Sequence, residues 1–212
     1  MTSTIIASFI AVFAALFPVV NPLGGGPMFL NMVQGCSQGV RDRLALGVSI
    51  NSFFLLLGSM LIGPELLLFF GISLPALKLA GGVVVIAMGW SLLNQQGSSK
   101  DSGNNSAEIT DANASAATFF PLTMPLTIGP GSIATGISLM AAVRDDGDFS
   151  FKSQLPHLIG GLIGLVALAA CIYIVYRESS AIQRILGESG TNVLMRLFAF
   201  ILLAIGVQIF LG

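Results

Sequence analysis

Neutral hydrogen-bonding side chains lie among prolines and glycines in two short stretches of this sequence. The first stretch runs from Phe17 to Pro27 and the second from Phe120 to Pro130. Each proline removes a backbone donor and clashes with the carbonyl four residues earlier, so a regular helix is disfavoured there. An interrupted helix leaves amides at one end and carbonyls at the other, and these can bind a carboxylate and an ammonium group. The candidate binding residues in and beside the two stretches are Asn21, Pro22, Gly24, Gly25, Gly26, Thr123, Pro125, Thr127, Gly129, Gly131 and Ser132.

The two stretches are copies of one motif. At a constant offset of 103 residues, six of eleven positions are identical, and three of the six are proline. A weaker echo pairs Gly71-Ile72-Ser73 with Gly187-Glu188-Ser189. Duplication of the motif favours a functional site. The alternative is that the prolines only kink helices for packing and the glycines only permit close helix contact.

The composition indicates a protein that folds in lipid. Of 212 residues, 54% are hydrophobic and 9% are charged, and the mean hydropathy is +0.89. Soluble domains contain about 25% charged residues, so a water-soluble globular enzyme is excluded. The net charge of −1 excludes the dense basic surface that nucleic-acid binding requires. The lipid bilayer is therefore the expected partner.

Charge-free intervals predict an all-α membrane protein with six transmembrane spans, since a helix needs about 20 apolar residues to cross the hydrocarbon core. The predicted spans are 4–34, 44–62, 76–93, 118–142, 155–176 and 192–212. In the first span, a helix over Ile5–Phe17 is about 20 Å long, so we expect it to end inside the membrane and to restart after Pro27. In the fourth span, we expect a break at Pro121–Pro130 and a restart at Ser132–Val143.

The polar stretch 94–117 divides the chain into a first three-span repeat, 1–93, and a second, 118–212. Its composition predicts a flexible loop. A unit of three spans ends on the opposite side of the membrane from its start, so the second repeat is inverted relative to the first. Inverted repeats are typical of secondary transporters, which bind substrate near the midplane between the halves. Six Lys and Arg residues in loops on one side against three on the other predict that both termini lie outside.

Motifs for enzymatic, metal or cofactor chemistry are missing from the sequence. There is no Walker A motif, no dinucleotide-binding glycine motif, no HExxH zinc motif and no Ser/His/Asp set. His157 is the only histidine, and Cys36 and Cys171 have no metal-ligand spacing. Lys78 and Arg196 are expected to extend to the membrane surface from helix ends, with a gating role as the alternative. We therefore predict no catalytic residues, no metal site and no cofactor, and a protein that is not an enzyme.

The same motifs resemble the signatures of the MarC family of six-span bacterial inner-membrane proteins. Asn21-Pro22-Leu23-Gly24 followed by Pro27-Met28-Phe29-Leu30 is similar to the first-span signature, and Pro121-Leu122 through Gly129-Pro130-Gly131-Ser132 is similar to the fourth. The resemblance covers nearly the whole chain and implies a multi-pass protein of the bacterial inner membrane. Members similar to the SnatA branch transport small neutral amino acids such as glycine and alanine, which implies the same activity here, with proton coupling.

We therefore expect a secondary transporter of small neutral amino acids with periplasmic termini and a proton or a sodium ion as the coupling ion. In this hypothesis the freed amides hold the substrate carboxylate, and the freed carbonyls with Asn21, Thr123 and Thr127 hold its ammonium group. Three alternatives stay open: a passive channel or facilitator, an exporter of another small solute such as a drug, and a non-transporting structural or assembly protein. The sequence does not determine the oligomeric state.

Overall fold

The described part of the protein is built from helices. A computed structural model describes residues 1–94, 109–145 and 151–211, and no strand occurs within these ranges. The predicted all-α class is confirmed for these residues. In chain order the elements are α1 (Thr2–Val20), α2 (Pro22–Met32), α3 (Gln38–Phe69), α4 (Leu74–Asn94), α5 (Ala114–Ala117), the proline segment (Thr118–Thr127), α6 (Pro130–Asp145), α7 (Phe151–Arg177) and α8 (Ser179–Leu211).

Several of these helices are long and apolar enough to cross a membrane. Five qualify individually: Thr2–Val20, Gln38–Phe69, Leu74–Asn94, Leu155–Arg177 and Gly190–Leu211. A bent pair, Ala114–Thr127 with Pro130–Val143, changes direction by 71° and gives a sixth candidate when it is counted as one span. The predicted second span, 44–62, lies within α3, which passes through Pro64 and continues over apolar residues to Phe69.

The first interruption lies at Asn21 rather than across the whole first motif. α1 continues through Pro18 and ends one residue before Asn21, whose backbone is left-handed with φ 50° and ψ 60°. α2 begins at Pro22 and contains Pro27, so the predicted helix end at Phe17 and the restart after Pro27 are wrong. Proline suits the first position of a helix because the N–H that it lacks has no helical partner there. With 19 residues, α1 is about 28 Å long and is not a half-length helix.

The second interruption is the proline segment. Phe120 and Met124, each followed by a proline, have extended backbones with φ of −123° and −121°. The proline ring disfavours helical geometry at the residue before it, which explains both positions. The peptide bonds that join them to the prolines are cis. Regular helix resumes in α6 at Pro130, two residues before the predicted Ser132.

The C-terminal part of the predicted flexible loop packs against the core. Residues 95–108 of that loop lie outside the described residues. Ile109 is buried, and its carbonyl accepts a hydrogen bond from the Cys36 thiol at 3.3 Å. The Asp111 carboxylate accepts one from the backbone amide of Ser37 at 2.9 Å. Burial, reinforced by the Asp111 carboxylate, raises the pKa of Cys36. Residues 109–117 therefore contact the core through the one large aliphatic residue of the predicted loop, and the flexibility of the loop stays a prediction.

Two glycines with positive φ turn the chain, one before α4 and one before the apolar part of α8. Gly71 lies between α3 and α4 with φ 66°, and Gly187 interrupts α8 with φ 65°. These are the glycines with positive φ among the described residues, and such angles are strained for other residue types. The apolar part of α8 that qualifies as a span begins at Gly190, close to the predicted start at 192.

α4 and α8 form the most extensive helix pair, and their backbones touch at glycines. A Cβ at Gly82 would lie 2.8 Å from the Gly206 carbonyl oxygen and 2.8 Å from the Phe210 amide nitrogen. A Cβ at Gly89 would lie 2.9 Å from the Ala199 carbonyl oxygen. In lipid the hydrophobic effect does not drive helices together, because the acyl chains are as apolar as the helix surfaces. Helices associate there through such close van der Waals packing.

The principal core lies where α1, α3, the proline segment and α7 meet. Leu16, Leu56, Leu122 and Leu165 are all fully buried there. Large apolar side chains also cover the outside, such as Phe69, which is 82% exposed. A continuous apolar exterior would cause aggregation in water and is the expected surface in lipid. The core therefore joins helices from early and late parts of the chain, while the periphery suits the membrane.

The α4–α8 contact leads to a stability prediction. Gly82→Ala inserts a methyl group against backbone atoms that cannot rotate away, so it should lower the free energy of unfolding by about 1–3 kcal/mol. Gly58→Ala is the matched control, since nothing lies within 4 Å of its Cβ position in α3. Alanine there should be neutral or stabilising by up to about 1 kcal/mol. Thermal unfolding in detergent measures both, and equal effects of the two substitutions would contradict the packing described.

Candidate functional site

One cavity brings together the end of α1, the start of α2, the C-terminal half of α4 and the proline segment. Its volume is about 240 Å³. The residues that line it are Val19, Val20, Asn21, Gly24, Gly25, Met28, Met88, Ser91, Leu92, Pro125, Leu126, Thr127 and Leu202. The sequence analysis expected a site at the midplane, and that depth stays a prediction.

Asn21 shapes the start of α2. Its backbone occupies a left-handed region that asparagine tolerates better than most residues. Its Oδ1 accepts a hydrogen bond from the Gly24 amide at 3.0 Å, and its carbonyl accepts one from the Gly25 amide at 2.9 Å. These two amides are therefore satisfied within the protein, which contradicts their expected role as free ligand donors. The free donor is Asn21 Nδ2, which makes no hydrogen bond to the described residues.

Two threonine hydroxyls satisfy carbonyls of the proline segment. Thr123 Oγ1 donates to the Thr118 carbonyl and Thr127 Oγ1 donates to the Leu122 carbonyl, each at 2.7 Å. Both bonds reach back five residues, in a stretch where prolines have removed backbone donors. Thr127 lines the cavity, and its one proton is already used. Toward a ligand its hydroxyl can therefore only accept a hydrogen bond.

Tyr176, near the end of α7, contacts residues of the cavity wall on the side that faces away from the cavity. Its Oη lies 2.9 Å from Thr127 Oγ1, and its ring stacks on Phe29 with a centroid separation of 4.6 Å. A Cβ placed on Gly25 would lie 2.5 Å from the same Oη. The sequence analysis missed Tyr176. It stands 49 positions from Thr127 in an apolar span, so no local pattern connects the two.

The structure brings together only part of the predicted binding set. Five predicted residues line the cavity, namely Asn21, Gly24, Gly25, Pro125 and Thr127. Six do not line it: Pro22, Gly26, Thr123, Gly129, Gly131 and Ser132. Their common feature is burial. They are therefore supporting residues of the interruptions rather than part of the cavity wall.

The six supporting residues have identifiable contacts. Pro22 starts α2. The Cβ position of Gly26 lies 3.1 Å from the Val175 side chain, and that of Gly131 lies 2.5 Å from Val85, so both glycines serve helix packing. Gly129 faces Met88, which does line the cavity.

The remaining two supporting residues are polar. Thr123 is fully buried and accepts a hydrogen bond from Asn51 Nδ2 at 3.4 Å. Ser132 is also buried, and its amide donates to the Gly129 carbonyl at 3.1 Å, which closes the first turn of α6. The predicted contact of Thr123 with a ligand ammonium group is therefore not supported by its position.

Several wall residues come from α4, which the sequence analysis did not connect with the site. Met88, Ser91 and Leu92 follow one another at helical spacing and so share one face. In the sequence, Ser91 could have indicated that α4 takes part in the site, because it is a polar residue close to the end of an apolar span. Met28, in α2, adjoins the first motif directly. A flexible methionine on either side makes the wall adaptable.

Two other cavities contain none of the predicted residues. One, of about 520 Å³, is lined by charged side chains that include Asp42, Arg177, Glu178 and Arg184. The other, of about 390 Å³, is mostly apolar and includes His157, whose Nδ1 lies 2.8 Å from Ser8 Oγ. Neither contains a helix interruption. Within the described ranges, no three His, Cys, Asp or Glu side chains come together as metal ligands.

Comparison with known proteins finds a family of membrane proteins. The model of the MarC family integral membrane proteins matches residues 6–212. The UPF0056 inner membrane protein MarC of Salmonella paratyphi A is 33% identical over 196 residues, which are 91% of this chain and 87% of the relative. The UPF0056 membrane protein YvbG of Bacillus subtilis is 32% identical over 201 residues, which are 94% of this chain and 91% of the relative. No solved structure is significantly similar.

The geometry at Asn21 predicts an order of stabilities. Asn21→Ala removes the cap of α2, which costs about 1 kcal/mol, and forces a left-handed alanine, which costs about 1–2 kcal/mol more. Asn21→Gly keeps the backbone free of strain and should cost only a few tenths of a kcal/mol. The unfolding temperature should therefore fall clearly for alanine and little for glycine. Equal losses for the two variants would show that the side-chain cap, and not the backbone angle, dominates.

Proposed function

The chain belongs to the MarC family of integral membrane proteins, and from that premise we propose that it is a secondary transporter of small neutral amino acids such as glycine and alanine. Family membership and the inner-membrane relatives confirm the predicted location in the inner membrane. The names of those relatives specify no solute. The solute is therefore proposed from the chemistry of the cavity.

The observation that carries the proposal is an uncharged cavity with a free donor and a free acceptor. Asn21 Nδ2 can donate to a carboxylate, and Thr127 Oγ1 can only accept, which suits an ammonium group. An α-amino acid carries one carboxylate and one ammonium group, so it matches both sets.

Charge and size support the same class of solute. None of the residues that line the cavity is charged. A net anion or cation would therefore be held there without a counter-charge, which costs several kcal/mol. The volume of about 240 Å³ lies below the roughly 300–1,000 Å³ of sites for drug-sized ligands. Gly24 and Gly25 contribute no side chain to the wall, so a small zwitterion can approach the backbone closely.

The proposal includes two inverted three-span repeats. Contacts run mainly between the halves: α1 packs on α7, α3 on α6, and α4 on α8. Exchange of the first, second and third spans for the fourth, fifth and sixth leaves this pairing unchanged. The echo at Gly71 and Gly187 also agrees, since both glycines have nearly equal positive φ. Such a repeat gives two related conformations, with the cavity open to one side or the other.

Transport is proposed to couple to a proton or a sodium ion, and it requires no covalent step, which agrees with a protein that is not an enzyme. A facilitator would use the same cavity without coupling. Accumulation against a gradient distinguishes the two, because only a coupled transporter can perform it.

Uptake into proteoliposomes tests the proposed function. We expect saturable uptake of labelled glycine and alanine that an imposed pH or sodium gradient increases. Binding should also stabilise the fold, by about 2.7 kcal/mol at a concentration of 100 times the dissociation constant. Uptake that only equilibrates would indicate a facilitator. Absence of uptake and of stabilisation in folded protein would refute the assignment to amino acids.

Asn21→Gly separates binding from folding. The substitution preserves the left-handed backbone and removes the Nδ2 donor, so we expect little loss of stability and a loss of glycine uptake of at least about tenfold, the effect of one hydrogen bond to a charged group. Asn31→Gly makes the same chemical change at an exposed position of α2, where the side chain accepts a hydrogen bond from Gln34. Uptake should survive in that control. Equal uptake by both variants would remove Asn21 from the site.

A further inference from the structure

Tyr176 is placed where it can limit the size of a bound solute. Its side chain is 1% exposed, and its hydroxyl contacts two residues of the cavity wall, Gly25 and Thr127. Glycine has no side chain to fill the space between this hydroxyl and the cavity. The tyrosine oxygen is therefore the first side-chain atom behind the wall at Gly25.

The hydrogen bonds fix the tyrosine hydroxyl in one orientation. The Leu122 carbonyl can only accept, so Thr127 uses its single proton on that carbonyl at 2.7 Å. Tyr176 must then be the donor in its 2.9 Å contact with Thr127. Stacking on Phe29, with an interplanar angle of 24°, holds the ring from the other end. A side chain held at both ends is a rigid boundary.

The glycine at position 25 is matched to this tyrosine. An added Cβ would stand 2.5 Å from Tyr176 Oη, closer than real Cβ contacts permit. Either a methyl group at position 25 or the hydroxyl at position 176 can occupy this space, but not both. The two residues thus define one steric unit of the wall.

We propose that Tyr176, paired with Gly25, is the residue that sets the size limit of the cavity and favours glycine over larger neutral amino acids. This inference rests on the proposed function. Removal of the hydroxyl leaves a space of about one oxygen atom beside the cavity, which a substrate methyl group can use after a small shift of Gly25. Tyr176 acts by shape, because its proton is committed to Thr127.

The test compares uptake of glycine and alanine by reconstituted protein. Tyr176→Phe keeps the ring and its stacking and removes only the oxygen. Pockets discriminate one methylene by about 10-fold or more, so the preference for glycine over alanine should fall by about tenfold, through a lower KM for alanine. Tyr173→Phe is the matched control, since the other tyrosine of the chain accepts a hydrogen bond from Arg177 at 3.0 Å and does not line the cavity.

A reciprocal substitution makes the test specific. Gly25→Ala in the Tyr176→Phe background puts a methyl group into the vacated space and should restore the preference for glycine. A purely structural role of Tyr176 predicts equal losses for both amino acids and no restoration. Equal losses, or an equal change of preference in Tyr173→Phe, would overturn the proposal.

A stability measurement without substrate checks the underlying contact. Gly25→Ala should lower the unfolding temperature in the wild-type background and lower it much less in the Tyr176→Phe background. Additive effects would show that the two positions do not compete for space and would overturn the pairing. Coupled stabilities together with no uptake by the wild type would instead refute transport of amino acids, so the two failures are distinguishable.

Discussion

Backbone polar groups that lack contact with water must be satisfied inside the protein, and the rest of this structure depends on how that is done at two interruptions. Prolines in both motifs remove donors and bend the chain. At the first interruption, Asn21 caps α2 with its own side chain and carbonyl. At the second, Thr123 and Thr127 bridge to carbonyls five residues earlier. The polar side chains of the motifs are therefore needed first for the fold. Two groups remain available to a solute in the cavity. They are the side-chain nitrogen Nδ2 of Asn21 and a lone pair of the Thr127 hydroxyl.

Close helix packing brings these leftover groups together. The glycine contacts between α4 and α8 allow α4 to lie close enough for Met88 and Leu92 to form one wall of the cavity. Gly131 fits under Val85 of the same helix, and Gly26 fits against α7. Glycine thus has two separate tasks in this protein. At Gly24 and Gly25 it keeps the cavity wall thin, and at positions such as Gly26, Gly82 and Gly131 it lets helices approach closely.

The sequence predicts the class of fold better than it predicts the positions of the interruptions. Long uncharged intervals are direct evidence of spans, and prolines of the two motifs do lie beside both interruptions. The exact breaks depend on tertiary context, because Pro18 is accommodated in the last turn of α1 while Asn21 takes the left-handed angle. Tyr176 could not be predicted, since its contact with Thr127 joins two distant parts of the chain. Ile109 shows the same limit, because one aliphatic residue in a polar loop is enough to anchor its end to the core.

In the proposed transporter, selectivity comes from two independent sources. The uncharged wall excludes net charge, because an ion without a partner in a poorly solvated cavity cannot recover its hydration energy. That restriction does not separate glycine from leucine, since both are zwitterions. Separation by size needs a rigid boundary, and the stacked, hydrogen-bonded Tyr176 behind Gly25 provides one. A methionine in the same position would yield to a larger solute. The rigid residue lies where the wall is thinnest, while the adaptable residues Met28 and Met88 line other parts of the cavity. The size limit therefore belongs to the Gly25 side of the cavity.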